Sequence, residues 1–177
     1  YPVAFAVVVA YHLEGNRVLH TATVYNTAGA GGEVLPFNIG FHPAFARPFS
    51  PDVATGGYEI VFSQKESPVE IETPDGYLNG KTKKLFENRD KMQLHDDFFA
   101  SDSICMSGLH SSWVSLRESG TGKENRVWIE GFPYVLLWGP PKGPLPFVCI
   151  EPWHGLPDGS AEYGELADKP GITLLAP

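Results

Sequence analysis

Two cysteines and two methionines in 177 residues leave little room for sulfur chemistry. Cys105 and Cys149 have no metal-ligand spacing and are too few to build a framework of bridges, so no metal or cofactor is expected. Each sits among apolar neighbours (Ile104 and Met106, Val148 and Ile150), where a cysteine behaves as a small buried hydrophobe. That usage fits a reducing compartment, and a cytoplasmic location is expected. Long apolar runs are absent too: none approaches the ~20 residues of a membrane-spanning helix. A basic stretch is also missing. The densest, Lys81-Thr82-Lys83-Lys84, is soon followed by Glu87 and Asp90 and reads as a solvated turn. With a formal charge of −8, neither nucleic acid nor an anionic membrane is an expected partner. The last absence is helical periodicity. No window carries a sustained i, i+3, i+4 apolar stripe, and 19 glycines and 16 prolines punctuate the chain.

What remains is a strand-forming sequence. Hydrophobic residues make up 42%, enough for a core, and a chain of this length is most simply one domain, 1–177, burying about 70% of its unfolded surface. Residues 3–13 are apolar at odd and even positions alike, the pattern of a strand covered on both faces. Glu14-Gly15-Asn16 supplies a turn, and residues 17–26 return as the second arm of a hairpin. Residues 27–32 form a small-residue loop before a strand that carries His42. Further strands are expected at 58–63, 69–73, 113–117, 126–130, 134–138, 147–151 and 172–175. Val127 and Ile129 alternate with Arg126, Trp128 and Glu130, as on a sheet with two unlike faces. Residues 120–122 and 140–146 are loops. Short strands separated by turn residues describe an all-β antiparallel sandwich. The start, Tyr1-Pro2-Val3-Ala4-Phe5, has no basic n-region of a signal peptide and no initiator Met, and it opens inside an extended run. The expectation is a chain whose earlier part is not represented.

Two segments carry titratable chemistry: Asn38-Ile39-Gly40-Phe41-His42-Pro43-Ala44-Phe45 and Phe147-Val148-Cys149-Ile150-Glu151-Pro152-Trp153. Each is an apolar extended run that delivers one titratable residue and then meets a proline. Facing one pocket, an imidazolium and a carboxylate are the minimum for paired acid and base catalysis. Gly40 allows a close backbone approach, Pro43 fixes the direction after His42, and Phe41 and Phe45 would bracket the imidazole. Equally, His42 reads as a core histidine held by a carbonyl, and Glu151 as the polar end of a strand. A carboxylate beside Trp153 is also what a sugar site looks like, the indole taking the C–H face of a pyranose.

Both segments resemble the galactose mutarotase-like group of aldose 1-epimerases, in its less characterised branch. Asn-x-x-x-His-Pro-x-Phe at 38–45 is similar to that family's histidine motif. Phe-Val-Cys-Ile-Glu-Pro-Trp, followed by Gly155-Leu156-Pro157-Asp158, is similar to its glutamate motif. The intervening Asp96-Asp97-Phe98-Phe99, Gly131-Phe132-Pro133-Tyr134, Leu137-Trp138 and the late Lys169-Pro170-Gly171 keep the family's order. The resemblance implies a supersandwich of large antiparallel sheets and a hexose substrate, galactose or glucose, whose α and β anomers are interconverted. It implies His42 as general acid on the ring oxygen and Glu151 as general base on the C1 hydroxyl. It further implies substrate-binding roles for Asn38, Asp97, Trp138 and Trp153. Asp96 competes with Asp97 for the acidic position, and a solvated turn explains either. Two departures stand out. Phe41 replaces a small or amide residue and would narrow the pocket. The family's N-terminal region, with a second histidine and an arginine, has no counterpart among His12, His20, His95, His110 and His154; His154 reads as a rim residue. This chain is therefore expected to be the C-terminal portion of a longer domain, with one cleft wall unbuilt, exposed apolar surface near His42, and a tendency to self-associate. The competing readings are a non-catalytic carbohydrate-binding sandwich, which Trp113, Trp128, Trp138 and Trp153 would suit, a glycoside hydrolase using Asp97 with Glu151, and a scaffold with a degenerate site.

Overall fold

The computed structural model describes residues 1–49, 57–141, 144–159 and 164–177. β1 (Phe5–Glu14) and β2 (Arg17–Asn26) pair as an antiparallel hairpin around Gly15-Asn16. Three short strands follow, β3 (Leu35–Phe37), β4 (Ile39–Gly40) and β5 (Ala44–Ala46). The next four are β6 (Tyr58–Glu66), β7 (Val69–Ile71), β8 (Thr82–Lys84) and β9 (Arg89–Gln93). β10 (Ile104–Ser107), β11 (Trp113–Glu118) and β12 (Glu124–Trp128) precede the two central strands, β13 (Tyr134–Trp138) and β14 (Phe147–His154), and β15 (Thr173–Leu175) comes last. Only two single-turn 3-10 segments, Pro74–Gly76 and Leu166–Asp168, interrupt the strands among the described residues.

The fold is all-β and its strand pairs are antiparallel. The larger sheet runs β4-β14-β13-β10-β7-β8, with β5 also on the β14 edge; the second runs β12-β11-β6-β9. The main core lies between them: Ile60 and Phe62 from β6, Val114 and Leu116 from β11, Val135 and Leu137 from β13, and Val148 and Ile150 from β14. The outer face of the larger sheet carries a second cluster, Cys105, Leu136 and Leu156, with Tyr134 and Trp153 packed against it. Strands β10, β13 and β14 are thus covered on both faces, which explains why they read as continuous apolar runs rather than alternating ones. Buried carboxylates away from the site are satisfied. Glu118 accepts from Tyr58 Oη at 2.7 Å and from the Thr121 hydroxyl, and Glu66 accepts from the His110 amide at 3.0 Å and Ser111 Oγ at 2.7 Å.

Several expectations are corrected. Residues 3–13 are not covered on both faces: every residue of β1 is exposed, with Val8 at 53% and Leu13 at 75%. Lys83 is not in a solvated turn but on β8, where its Nζ lies 3.0 Å from Glu70 Oε1 of the neighbouring β7. His42 is not on a strand. It occupies the gap between β4 and β5, where two prolines interrupt the ladder. The loop expected at 140–146 lies partly outside the described residues, at 142–143.

Candidate active site

The pairing register explains how His42 meets Glu151. β4 pairs with the end of β14 (Gly40 opposite Trp153), and β5 pairs with its start (Ala44 opposite Cys149). These two pairings share one continuous register, which sets His42 directly opposite Glu151. The ladder opens there because Pro43 and Pro152 have no N–H to give. The remaining groups still pair: the Phe41 amide donates to the Pro152 carbonyl at 3.0 Å, and the Ile150 amide donates to the Pro43 carbonyl at 3.3 Å. Directly opposed residues project from the same face of a sheet. The segment therefore presents Gly40, His42 and Ala44 toward Trp153, Glu151 and Cys149. His42 is flanked on its own face by the two smallest side-chain types.

The pair is asymmetric. His42 Nε2 lies 3.2 Å from Glu151 Oε1, with the imidazole 59% exposed and the carboxylate only 2% exposed. Burial pushes the Glu151 carboxyl up to about 7, against a hydrogen bond from the Trp153 side chain that favours the charged form. A carboxylic acid titrating near neutrality, in reach of an imidazole open to solvent, is an arrangement that accepts and returns protons.

Trp138 joins the pair, its ring centroid 6.2 Å from that of His42 and 5.7 Å from Phe147. Trp153 is there too, in a holding position. Its indole lies flat against Gly40, where an added Cβ would fall 2.4 Å from Cδ1, so the contact requires glycine. Asn38 precedes β4. Its side chain packs on Gly155, whose φ of +118° and lack of Cβ admit it, and its Nδ2 donates to the Leu156 carbonyl at 3.3 Å. Asn38 braces the loop that covers the outer cluster. Asp97 is exposed in the turn spanning 96–101, and its carbonyl accepts from the Ala100 amide at 3.1 Å. That turn is anchored by Phe99, buried against Gly139, and its end helps line a depression of about 360 Å³ shared with Trp138. Asp96, the competing acid, interacts electrostatically with the half-buried Arg47.

Phe41 does not narrow this face. Its side chain goes to the other side of the sheet and meets the rings of His20 at 4.5 Å and Phe132 at 5.9 Å. Phe45 packs on the main core instead of bracketing His42. His154 packs against Phe132, 4.9 Å between ring centroids. The residue that sequence reasoning missed is Cys149, read as a core hydrophobe. It is buried, but on the site face, and its sulfur lies within 4.8 Å of the ligand atoms of His42 and Glu151. Its place two residues before Glu151 on one strand is the signal that would have found it. A larger cavity, about 400 Å³, lies between the hairpin and β3, lined by Phe5, Val7, Val24, Leu35 and Phe37. It contains neither His42 nor Glu151 and is lined mostly by apolar side chains, along with Asn38 and Lys169, so the paired titratable groups locate the candidate site.

A family model described as aldose 1-epimerase matches residues 1–169. The chain is 32% identical over 176 residues to the chromosomal protein LacX of Lactococcus lactis subsp. lactis, covering 98% of this chain and 58% of LacX. Among solved structures it is similar to a galactose mutarotase related enzyme from Lactobacillus acidophilus (TM-score 0.86, 28% identity, all of this chain and 58% of that one). A galactose mutarotase-like protein from Lactobacillus casei shares the fold at TM-score 0.82 and 24% identity, over 99% of this chain and 60% of that one. The chain thus spans 58% of the length of the curated relatives it matches. By the family match along nearly its whole length, the chain belongs to the aldose 1-epimerase family.

Proposed function

We propose that this chain carries the acid and base of an aldose 1-epimerase-like isomerase acting on a hexose such as galactose or glucose. The observation that carries the reading is the in-register pair, an exposed His42 and a buried Glu151 3.2 Å apart. As imidazolium, His42 protonates the ring oxygen while the Glu151 carboxylate takes the proton of the C1 hydroxyl. The C1–O5 bond breaks to give the open-chain aldehyde, the C1–C2 bond rotates, and closure on the other carbonyl face reverses both proton transfers. A base that regains its proton each cycle works best with a pKa near the working pH, and burial raises Glu151 to about 7. Trp138 offers an aromatic wall for the C–H face of the sugar. Trp153 holds Glu151, Asn38 holds the neighbouring loop, and Asp97 approaches a distal hydroxyl from the Trp138 side.

The remaining parts of the reading are a cytoplasmic setting and self-association, with a second copy of this chain against the β1–β2 hairpin. The hairpin's two outer edges have no strand partner among the described residues, and Val8, Val9, Leu13 and Val18 are all more than half exposed. Polarimetry on fresh α-galactose and α-glucose with the full-length protein tests the catalytic reading. Acceleration is expected for at least one sugar. Sugar binding with no acceleration selects the non-catalytic binding sandwich instead.

A further inference from the structure

Cys149 has no role in ring opening, yet it completes a three-donor set. The ligand atoms of His42, Cys149 and Glu151 all lie within 4.8 Å of one another. Cys149 and Glu151 are two residues apart on β14 and share a face, and His42 stands opposite Glu151 on the edge segment. The donors are one nitrogen, one sulfur and one oxygen. Bonds of about 2.0–2.3 Å to one ion would leave such donors roughly 3.3–3.8 Å apart; His42 and Glu151 already stand 3.2 Å apart, and the Cys149 sulfur lies within 4.8 Å of both. Two of the three are almost fully buried, and the third lies at the open side, where its 59% exposure leaves a direction free for a fourth, exchangeable ligand. A thiolate in the set favours zinc over magnesium or calcium. A thiolate, a carboxylate and a neutral imidazole also balance the charge of a divalent ion, so the filled site is neutral inside a low-dielectric sheet face.

We propose that His42, Cys149 and Glu151 form a binding site for a thiophilic divalent cation, zinc in the first instance, which competes with the sugar. No contiguous motif announces it, because two ligands sit at strand spacing and the third comes from a neighbouring strand. The metal site stands on geometry alone; its inhibitory consequence rests on the proposed mutarotation. Binding draws a proton from the Cys149 thiol and requires Glu151 charged and His42 neutral, so affinity rises with pH.

The test uses the chain dialysed against chelator and titrated with cobalt(II) and, separately, with zinc(II) in a calorimeter. One ion per chain is expected, with a near-ultraviolet thiolate-to-cobalt band. Cys149→Ser removes the band, and His42→Ala, at an exposed position that leaves the fold intact, weakens zinc binding by at least about tenfold. Cys105→Ser, at the other buried cysteine, keeps the band. Absence of the band, or its survival in Cys149→Ser, overturns the site whatever the outcome with sugar. Saturating galactose should raise the apparent zinc dissociation constant. Unchanged zinc affinity under galactose, with the band present, overturns the competition. Mutarotation by metal-free protein is measured separately, so loss of the catalytic reading and loss of the metal site are told apart.

Discussion

Strands β1 and β14 are both apolar along most of their length, yet one is exposed at every residue and the other is buried across its middle. β14 lies between the main core and the outer cluster, and its neighbours β13 and β4–β5 satisfy its backbone on both edges. β1 has one neighbour, β2. The hairpin meets the body through the edge of the His20 ring on Phe41, Arg17 5.8 Å from the Trp128 ring, and Asn26, whose Nδ2 donates to the Leu175 carbonyl at 2.9 Å. A continuous apolar run therefore states that a strand wants cover on two faces. It does not state that the cover comes from the same chain. The titratable pair belongs to the covered region, where burial perturbs a carboxyl and close packing holds its orientation.

The sharpest way to break this contrast is to change a histidine in each region. His42→Ala should reduce mutarotation by about 10²–10⁴-fold, the usual worth of a general acid. His20→Ala, in the hairpin, should leave the rate near wild type. Equal losses in a polarimetric assay would end the distinction between the two regions.

Stability should separate them next. Leu137 is fully buried, and Leu137→Ala should cost about 2–5 kcal/mol in urea unfolding. Leu13→Ala, at a 75% exposed position, should change stability by no more than about 0.5 kcal/mol. A large loss from Leu13→Ala would mean that the hairpin packs on something in solution.

A smaller effect follows from Glu151. Its folded pKa is raised from 4.5 to about 7, so the contribution of this group is fully present below pH 4.5 and is lost as pH rises through 7. The loss by pH 8 is at most about 3 kcal/mol. Glu151→Gln, which never ionises, should then be at least as stable as wild type at pH 8 and gain relative to it between pH 5 and 8. Parallel unfolding midpoints of the two proteins across that range would refute the raised pKa.

The mildest prediction concerns association. Replacing Val8 and Val18 with threonine should lower the concentration-dependent mass seen by light scattering while keeping the β spectrum. An unchanged mass would remove the hairpin as the contact between copies.

The hairpin, β6, β13 and β14 were legible because β-branched and aromatic runs end at obvious turn residues. β4 and β5 were not, since each is short and the prolines beside His42 disguise a single edge strand. β8 was hidden by its lysines, which are exposed on a sheet edge and carry no apolar alternation. His42 and Glu151 stood out by residue type and flanking prolines. Their opposition did not, because alternation along a strand fixes which residues share its face and never which distant segment lies beside it. The same limit hid Cys149 as a neighbour of the pair and the contact of Asn38 with the Leu156 loop.

The most direct test of the central claim is the pH dependence of anomer exchange in galactose, followed by magnetisation transfer between the two anomeric protons. With the full-length wild-type protein, exchange should be faster than in buffer and should rise through about pH 7 as Glu151 ionises. With Glu151→Gln, folded by the same spectra, that rise should vanish and the rate should fall by about 10²–10⁴-fold. An equal rate and an unchanged pH limb in the Gln protein would contradict the account and place the base elsewhere.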